Sequence, residues 1–186
     1  MTGRKNSGKG TGMKHPIAAL PILLTLLALA ACGDDSDSPK FFCPAVAVLQ
    51  PTGQLTEFLP ASENIPDEIT SASITGVAGD CAFEPDKHAV KVKFQVGFTA
   101  TNGPANKADK LTLPYFVAIV EGERIISKQL YSIPVSFDGN ASIADATSKP
   151  LTVELPDTPR NNRTQVLVGF QLTPEQQVYA TDHPHS

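Results

Sequence analysis

From Ala89 to Ala100 the chain alternates strictly. Val90, Val92, Phe94, Val96, Phe98 and Ala100 fall on one side, and Lys91, Lys93, Gln95, Gly97 and Thr99 on the other. Successive side chains of a strand point to opposite faces, so this spacing predicts a β-strand with one face in a core and one in water. The same period recurs in Tyr131, Ile133, Val135, Phe137 and in Val166, Val168, Phe170, Leu172. Leu111 to Val120 is apolar on both sides, the pattern of a central or doubly covered strand. Glu121-Gly122-Glu123-Arg124 then reads as a hairpin turn into Ile125-Ile126. Weaker strands are expected over 44–49, 69–77, 80–83 and 151–155, separated by turn clusters such as Pro51-Thr52-Gly53, Glu84-Pro85-Asp86 and Asp138-Gly139-Asn140.

Thr173-Pro174-Glu175-Gln176 is a capping-box pattern, with Thr at the N-cap, Pro at N1 and Gln at N3. It predicts a short helix over 174–180, followed by a disordered tail over 181–186. About seven or eight short strands with one closing helix and no βαβ rhythm predict an all-β fold over residues 41–180. The expected architecture is an antiparallel, immunoglobulin-like β-sandwich in the loose sense. The Trp that marks antibody domains is absent, which leaves the topology open.

The first 31 residues break this pattern. Residues 1–15 carry Arg4, Lys5, Lys9 and Lys14 and no acid, and residues 16–31 are almost wholly apolar. The apolar run is shorter than the roughly 20 residues a membrane-spanning helix needs, and it is interrupted by Pro16 and Pro21. It has the basic and hydrophobic regions of a secretory signal. Met13-Lys14-His15 ahead of it would begin a compact signal by itself, so translation from Met13 is an alternative to Met1.

Leu29-Ala30-Ala31-Cys32 ends the apolar run, immediately before Gly33 and a polar stretch. This tetrad resembles the lipobox of bacterial lipoproteins. The resemblance implies recognition of Leu29, Ala30 and Ala31 by a dedicated signal peptidase, diacylglyceryl transfer to the Cys32 thiol and cleavage before it. Two or more acyl chains anchor a protein stably where one binds marginally. The body would then face the periplasm. Gly33, rather than Asp, after the cysteine implies the outer membrane over the inner one.

Residues 32–40 form the lipidated anchor and an acidic linker, with Asp34, Asp35 and Asp37 lacking the Gly turn and distal Glu of a calcium loop. Phe41 and Phe42 follow and are expected to open the first strand against the core. With Cys32 acylated, Cys43 and Cys81 remain as an even pair in an oxidising compartment, and a disulfide between them is expected.

Without the leader's four bases, 11 Lys and Arg face 19 Asp and Glu, a net charge of −8. That balance argues against nucleic acid and against electrostatic docking on anionic lipid. Catalytic constellations are sparse. His88 is the sole His between the leader and the tail, and no G-x-S-x-G elbow accompanies it. His183-Pro184-His185 is two ligands on a chain end. Most acids lie in turns, and Glu121 and Glu154 sit at or near strand positions without a visible partner. Asn140-Ala141-Ser142 and Asn162-Arg163-Thr164 are read as accidental matches to the glycosylation acceptor pattern. No metal, cofactor or catalytic residue is expected.

The segments from Cys43-Pro44-Ala45-Val46 through Leu113-Pro114-Tyr115-Phe116-Val117-Ala118 to Val166–Glu175 resemble a group of uncharacterised Gram-negative envelope lipoproteins, which carries an address and no activity. The expectation is a non-catalytic interaction or structural module of the cell envelope. It would meet another envelope protein through the loops over 60–67 and 140–150. The alternatives are a small-molecule or glycan binder using Tyr115, Tyr131 or a Phe, and, least supported, a hydrolase built on His88 or a carboxylate pair.

Overall fold

The computed structural model describes residues 41–157 and 163–184. The leader, Leu29, Ala30, Ala31, Cys32, the acidic linker, Asn162 and His185 lie outside the described residues. Nine strands follow in chain order: β1 (Ala45–Val48), β2 (Gln54–Phe58), β3 (Glu68–Glu84), β4 (Ala89–Asn102), β5 (Lys110–Glu121), β6 (Arg124–Ser136), β7 (Ile143–Thr147), β8 (Leu151–Pro156) and β9 (Thr164–Phe170). The helix α1 (Pro174–Asp182) closes the chain. One sheet has the order β1-β9-β5-β6. The other runs β2-β3-β4, with β7 and β8 both paired to β4 along different halves of its length. All pairs are antiparallel except β1 with β9. The fold is an all-β sandwich with one C-terminal helix.

The inward side of β4 is the alternating set of the sequence pattern, and all six of its apolar residues are buried. Opposite them lie Leu113, Tyr115 and Val117 of β5, Ile133 and Val135 of β6, and Val166, Val168 and Phe170 of β9. At about 25 cal/mol per Å² of apolar surface removed from water, this shared layer is the main stabilising term. The apolar character of both sides of β5 is also real. Its outward Phe116, Ala118 and Val120 form a second small cluster with Leu167.

Several elements differ from the sequence pattern. The two strands expected over 69–77 and 80–83 are one strand, β3, with a bulge between Ile74 and Gly76. The extra residue shifts the inward set from Ala72 and Ile74 to Val77, Cys81 and Phe83, which breaks the period of two in the sequence. The polar connection expected over 140–150 contains β7, whose inward Ala144 and Ala146 are too small to stand out as an apolar stripe. β2 was not expected. α1 runs two residues past 180, so the tail expected from 181 onward begins inside the helix. There the Thr181 hydroxyl donates to the carbonyl of Gln177 (2.8 Å) and the His183 amide to that of Tyr179 (2.9 Å).

At the β5–β6 hairpin Glu121 pairs with Arg124 in register, and Gly122 has φ +61°, the left-handed conformation a two-residue turn requires. Cys43, just ahead of β1, is bonded to Cys81 on the inward side of β3, so the disulfide ties one sheet to the other. Phe41 stacks on Phe83 at 5.8 Å beside it, while Phe42 is 45% exposed. Thus only Phe41 of the expected pair reaches the core, and the first strand begins at Ala45.

Near the β3–β4 turn, Glu84 pairs with Lys91 and, at 3.0 Å, with Lys87, and Glu154 of β8 lies 3.4 Å from Lys87 and 3.5 Å from Lys91. Hydrogen bonds from Lys91 first, and from Lys87 second, hold the Glu84 carboxyl below its usual range. A carboxylate with a depressed folded pKa contributes stability above its unfolded value, and loses it as pH falls through the folded one. The wild-type urea midpoint is therefore expected to fall more steeply below about pH 4.5 than that of Glu84→Gln. Parallel pH profiles would overturn this. The effect is small, because the cluster faces solvent.

Candidate functional site

Strand register sorts the molecule into two ends. At the near end lie the start of β1, the β5–β6 hairpin, the β3–β4 turn and the end of β8. At the far end lie the β2–β3 connection, the β4–β5 and β6–β7 connections and α1. β5 alone spans twelve residues, about 40 Å of strand. The chain reaches β1 at the near end, so every far-end loop is held a sandwich length away.

The far end carries a groove of about 250 Å³ between the stretch after β2 and α1. Its walls include Phe58, Pro60, Ser62, Gln176 and Tyr179. The Tyr179 ring meets Phe58 edge-on at 5.1 Å and stacks on His183 at 4.2 Å, so α1 is pinned to β2 through aromatic contacts. Ser62 donates to the Asp67 carboxylate (2.7 Å), which braces the loop. At its rim Ala61 has φ +62°, a left-handed conformation that costs a non-glycine residue energy and concentrates at functional loops. Ile65, on the same loop, is exposed.

The helix side of the groove is set by the capping box read from the sequence. The Gln176 amide donates to the Thr173 hydroxyl (3.2 Å), and the Thr173 amide to the Gln176 side-chain oxygen (2.9 Å). The backbone amide of Glu175 itself, and then the Thr173 side chain, hold the Glu175 carboxyl below its usual range. Thr173→Ala is expected to cost about 1 kcal/mol, read as a lower urea midpoint and faster amide exchange confined to α1. Unchanged exchange there would contradict the capping role.

The other expected residues are dispersed. His88 is exposed in the β3–β4 turn at the near end, with φ +48°. Glu121 is paired with Arg124 at 2.6 Å, and Glu154 belongs to the near-end charge cluster. Tyr115 is buried against Phe98, and Tyr131 stacks on Tyr115 at 5.4 Å, so neither ring of the expected glycan platform is free. Burial holds the Tyr115 hydroxyl above its usual pKa. Tyr179, the third tyrosine, lines the groove and was missed. Its clue in the sequence was its place one turn and a half into the capped helix. Of the two expected contact loops, the first lines the groove with residues 60–63, and 140–150 is divided by the strand β7 over Ile143–Thr147.

Among the described residues no group of three or more His, Cys, Asp or Glu is arranged to hold a metal ion. Among them, too, no helix is long and apolar enough to cross a membrane. No protein-family model, curated protein or solved structure matches the chain.

Proposed function

We propose that this chain is a lipid-anchored, non-catalytic interaction module of the bacterial cell envelope. In this reading it is attached through Cys32 to the outer membrane, with its body in the periplasm and its far-end loops meeting another envelope protein. The observation that carries the reading is the tetrad Leu29-Ala30-Ala31-Cys32, placed between an apolar run and a polar linker. The described residues that follow that linker enter the strand at the near end, whereas the groove lies at the far end of the sandwich. An immunoglobulin-like classification is part of the proposal, supported by two sheets of mainly antiparallel strands and by the parallel pairing of the first strand with the last within one of them.

Cys32→Ala in cells is expected to shift the protein from the membrane fraction or to leave it unprocessed. Intact-mass analysis of the wild type is expected to show an acylated amino terminus at residue 32. An unmodified sulfur there, or cleavage at another bond, would overturn the reading. In-cell crosslinking from the 60–67 loop tests the partner, and recovery of this protein alone would count against one. A second reading, a binder of small molecules or glycans, is favoured by the groove between Phe58 and Tyr179. It predicts that ligand protects Tyr179 from modification.

A further inference from the structure

The four-stranded sheet carries an apolar cluster on its outward face. Register places Ala47, Leu167, Ala118 and Lys128 in one row across its four strands. Gly169, Phe116 and Leu130 lie in the next row. Leu130 is 65% exposed and Ile125, towards the near end, 64%. Between these flanks the face holds a shallow apolar depression of about 280 Å³, lined by Phe116, Ala118, Val120 and Leu167. Neither row contains an Asp or Glu, although the chain beyond the leader carries 19 acids against 11 bases. The one charge in the two rows is Lys128, whose ammonium lies 4.3 Å from the centre of the Phe116 ring.

We propose that this face is a bilayer-contact surface, on which the domain lies against lipid with Leu130 and Ile125 in the acyl–headgroup boundary and Lys128 on a lipid phosphate. The inference rests on the proposed anchor at Cys32. Residues 32–40 span about 30 Å at most, and they lead to β1, which is the edge strand of this same sheet. The anchor therefore holds this sheet within reach of the membrane. Lys side chains lie along apolar surface with the charge at the polar boundary, which suits this position. A second copy of the chain fits less well. A two-fold interface centred here would set two Lys128 side chains together with no acid in either pair of rows to neutralise them.

The chain contains no Trp, so a single Trp introduced at Leu130 is a unique optical probe. The Leu130→Trp protein, expressed as the full chain and purified in detergent from the cell envelope, would be reconstituted in phosphatidylethanolamine–phosphatidylglycerol vesicles with brominated acyl chains. Ile143→Trp, outward on the other sheet and 59% exposed, is the control. Quenching at residue 130 severalfold above that at 143 is expected, and Lys128→Glu is expected to reduce it while the protein still co-floats with vesicles. Equal quenching at both positions in co-floating protein would overturn this proposal and leave the anchor intact. Blue-shifted emission at 130 without quenching would assign the face to a protein surface and also overturn it. Failure to co-float, with Cys32 unmodified by mass, would overturn both.

Discussion

Phe98→Ala is expected to destabilise the domain by about 3–5 kcal/mol, the range for truncating a fully buried aromatic side chain. Phe98 is 1% exposed at the centre of β4, the strand that pairs with β3 on one side and with β7 and β8 on the other. Its ring meets Tyr115 edge-on at 5.1 Å and Phe170 at 5.8 Å, both from the opposite sheet. Truncation would remove buried apolar area and both aromatic contacts, and the strands around it are too constrained to collapse into the space. Domains are stable by only about 5–15 kcal/mol, so this change removes a large share. In urea the midpoint should fall with little change in slope. Phe42→Ala, at an exposed ring, should leave the midpoint nearly unchanged. A Phe98→Ala loss below about 1 kcal/mol would mean that the two sheets are not packed through this ring.

The fold was legible where the chain obeys one period without interruption. β4, the inner half of β6, β9 and the β5–β6 hairpin follow from alternation and turn chemistry alone, and α1 from its capping box. β3 was not legible as one strand, because the bulge after Ile74 moves the apolar set onto the other parity. β7 was hidden because Ala144 and Ala146 bury little surface, and β2 because Gln54–Phe58 is short and follows a turn cluster. Pairing between distant segments, such as β1 beside β9, is a property of tertiary packing that no local pattern carries.

The candidate site was less legible still. Tyr115 and Tyr131, the tyrosines expected as a glycan platform, proved to be core or core-stacked residues. Tyr179 faces the groove because β2, an element absent from the sequence pattern, supplies Phe58 to receive it. The outward face of the four-stranded sheet was visible only as the double-sided apolarity of 111–120. Its lack of acids emerges once register aligns β1, β9, β5 and β6. Charge counted along the chain argued against anionic lipid, yet charge sorted by face is uneven, and Lys128 stands on an apolar outward surface.

Replacing Cys43 and Cys81 together by alanine is expected to cost roughly 4 kcal/mol. The bridge joins residues 38 positions apart, and closing a loop of that length restricts the unfolded chain far more than the folded one. The folded geometry sharpens the expectation. Cys43 lies in the segment ahead of β1, a four-residue edge strand held to its sheet only by β9. Cys81 sits on the inward side of β3, and Phe41 stacks on Phe83 beside it. Without the bridge, the 41–48 segment keeps its pairing with β9, the packing of Val46 and Val48 on the core, and that stack, but no covalent tie to β3. Two effects should therefore separate. Global stability should drop by the loop-closure amount in urea, and amide exchange should quicken first in β1, ahead of β4 and β5. Reduction of the wild-type protein should reproduce both. A double variant with an unchanged midpoint, or with exchange accelerated uniformly, would show that the bridge does not secure the first strand. If the chain is anchored at Cys32, that strand is also where any pull from the membrane arrives, so the same variant should be the most readily degraded in the envelope.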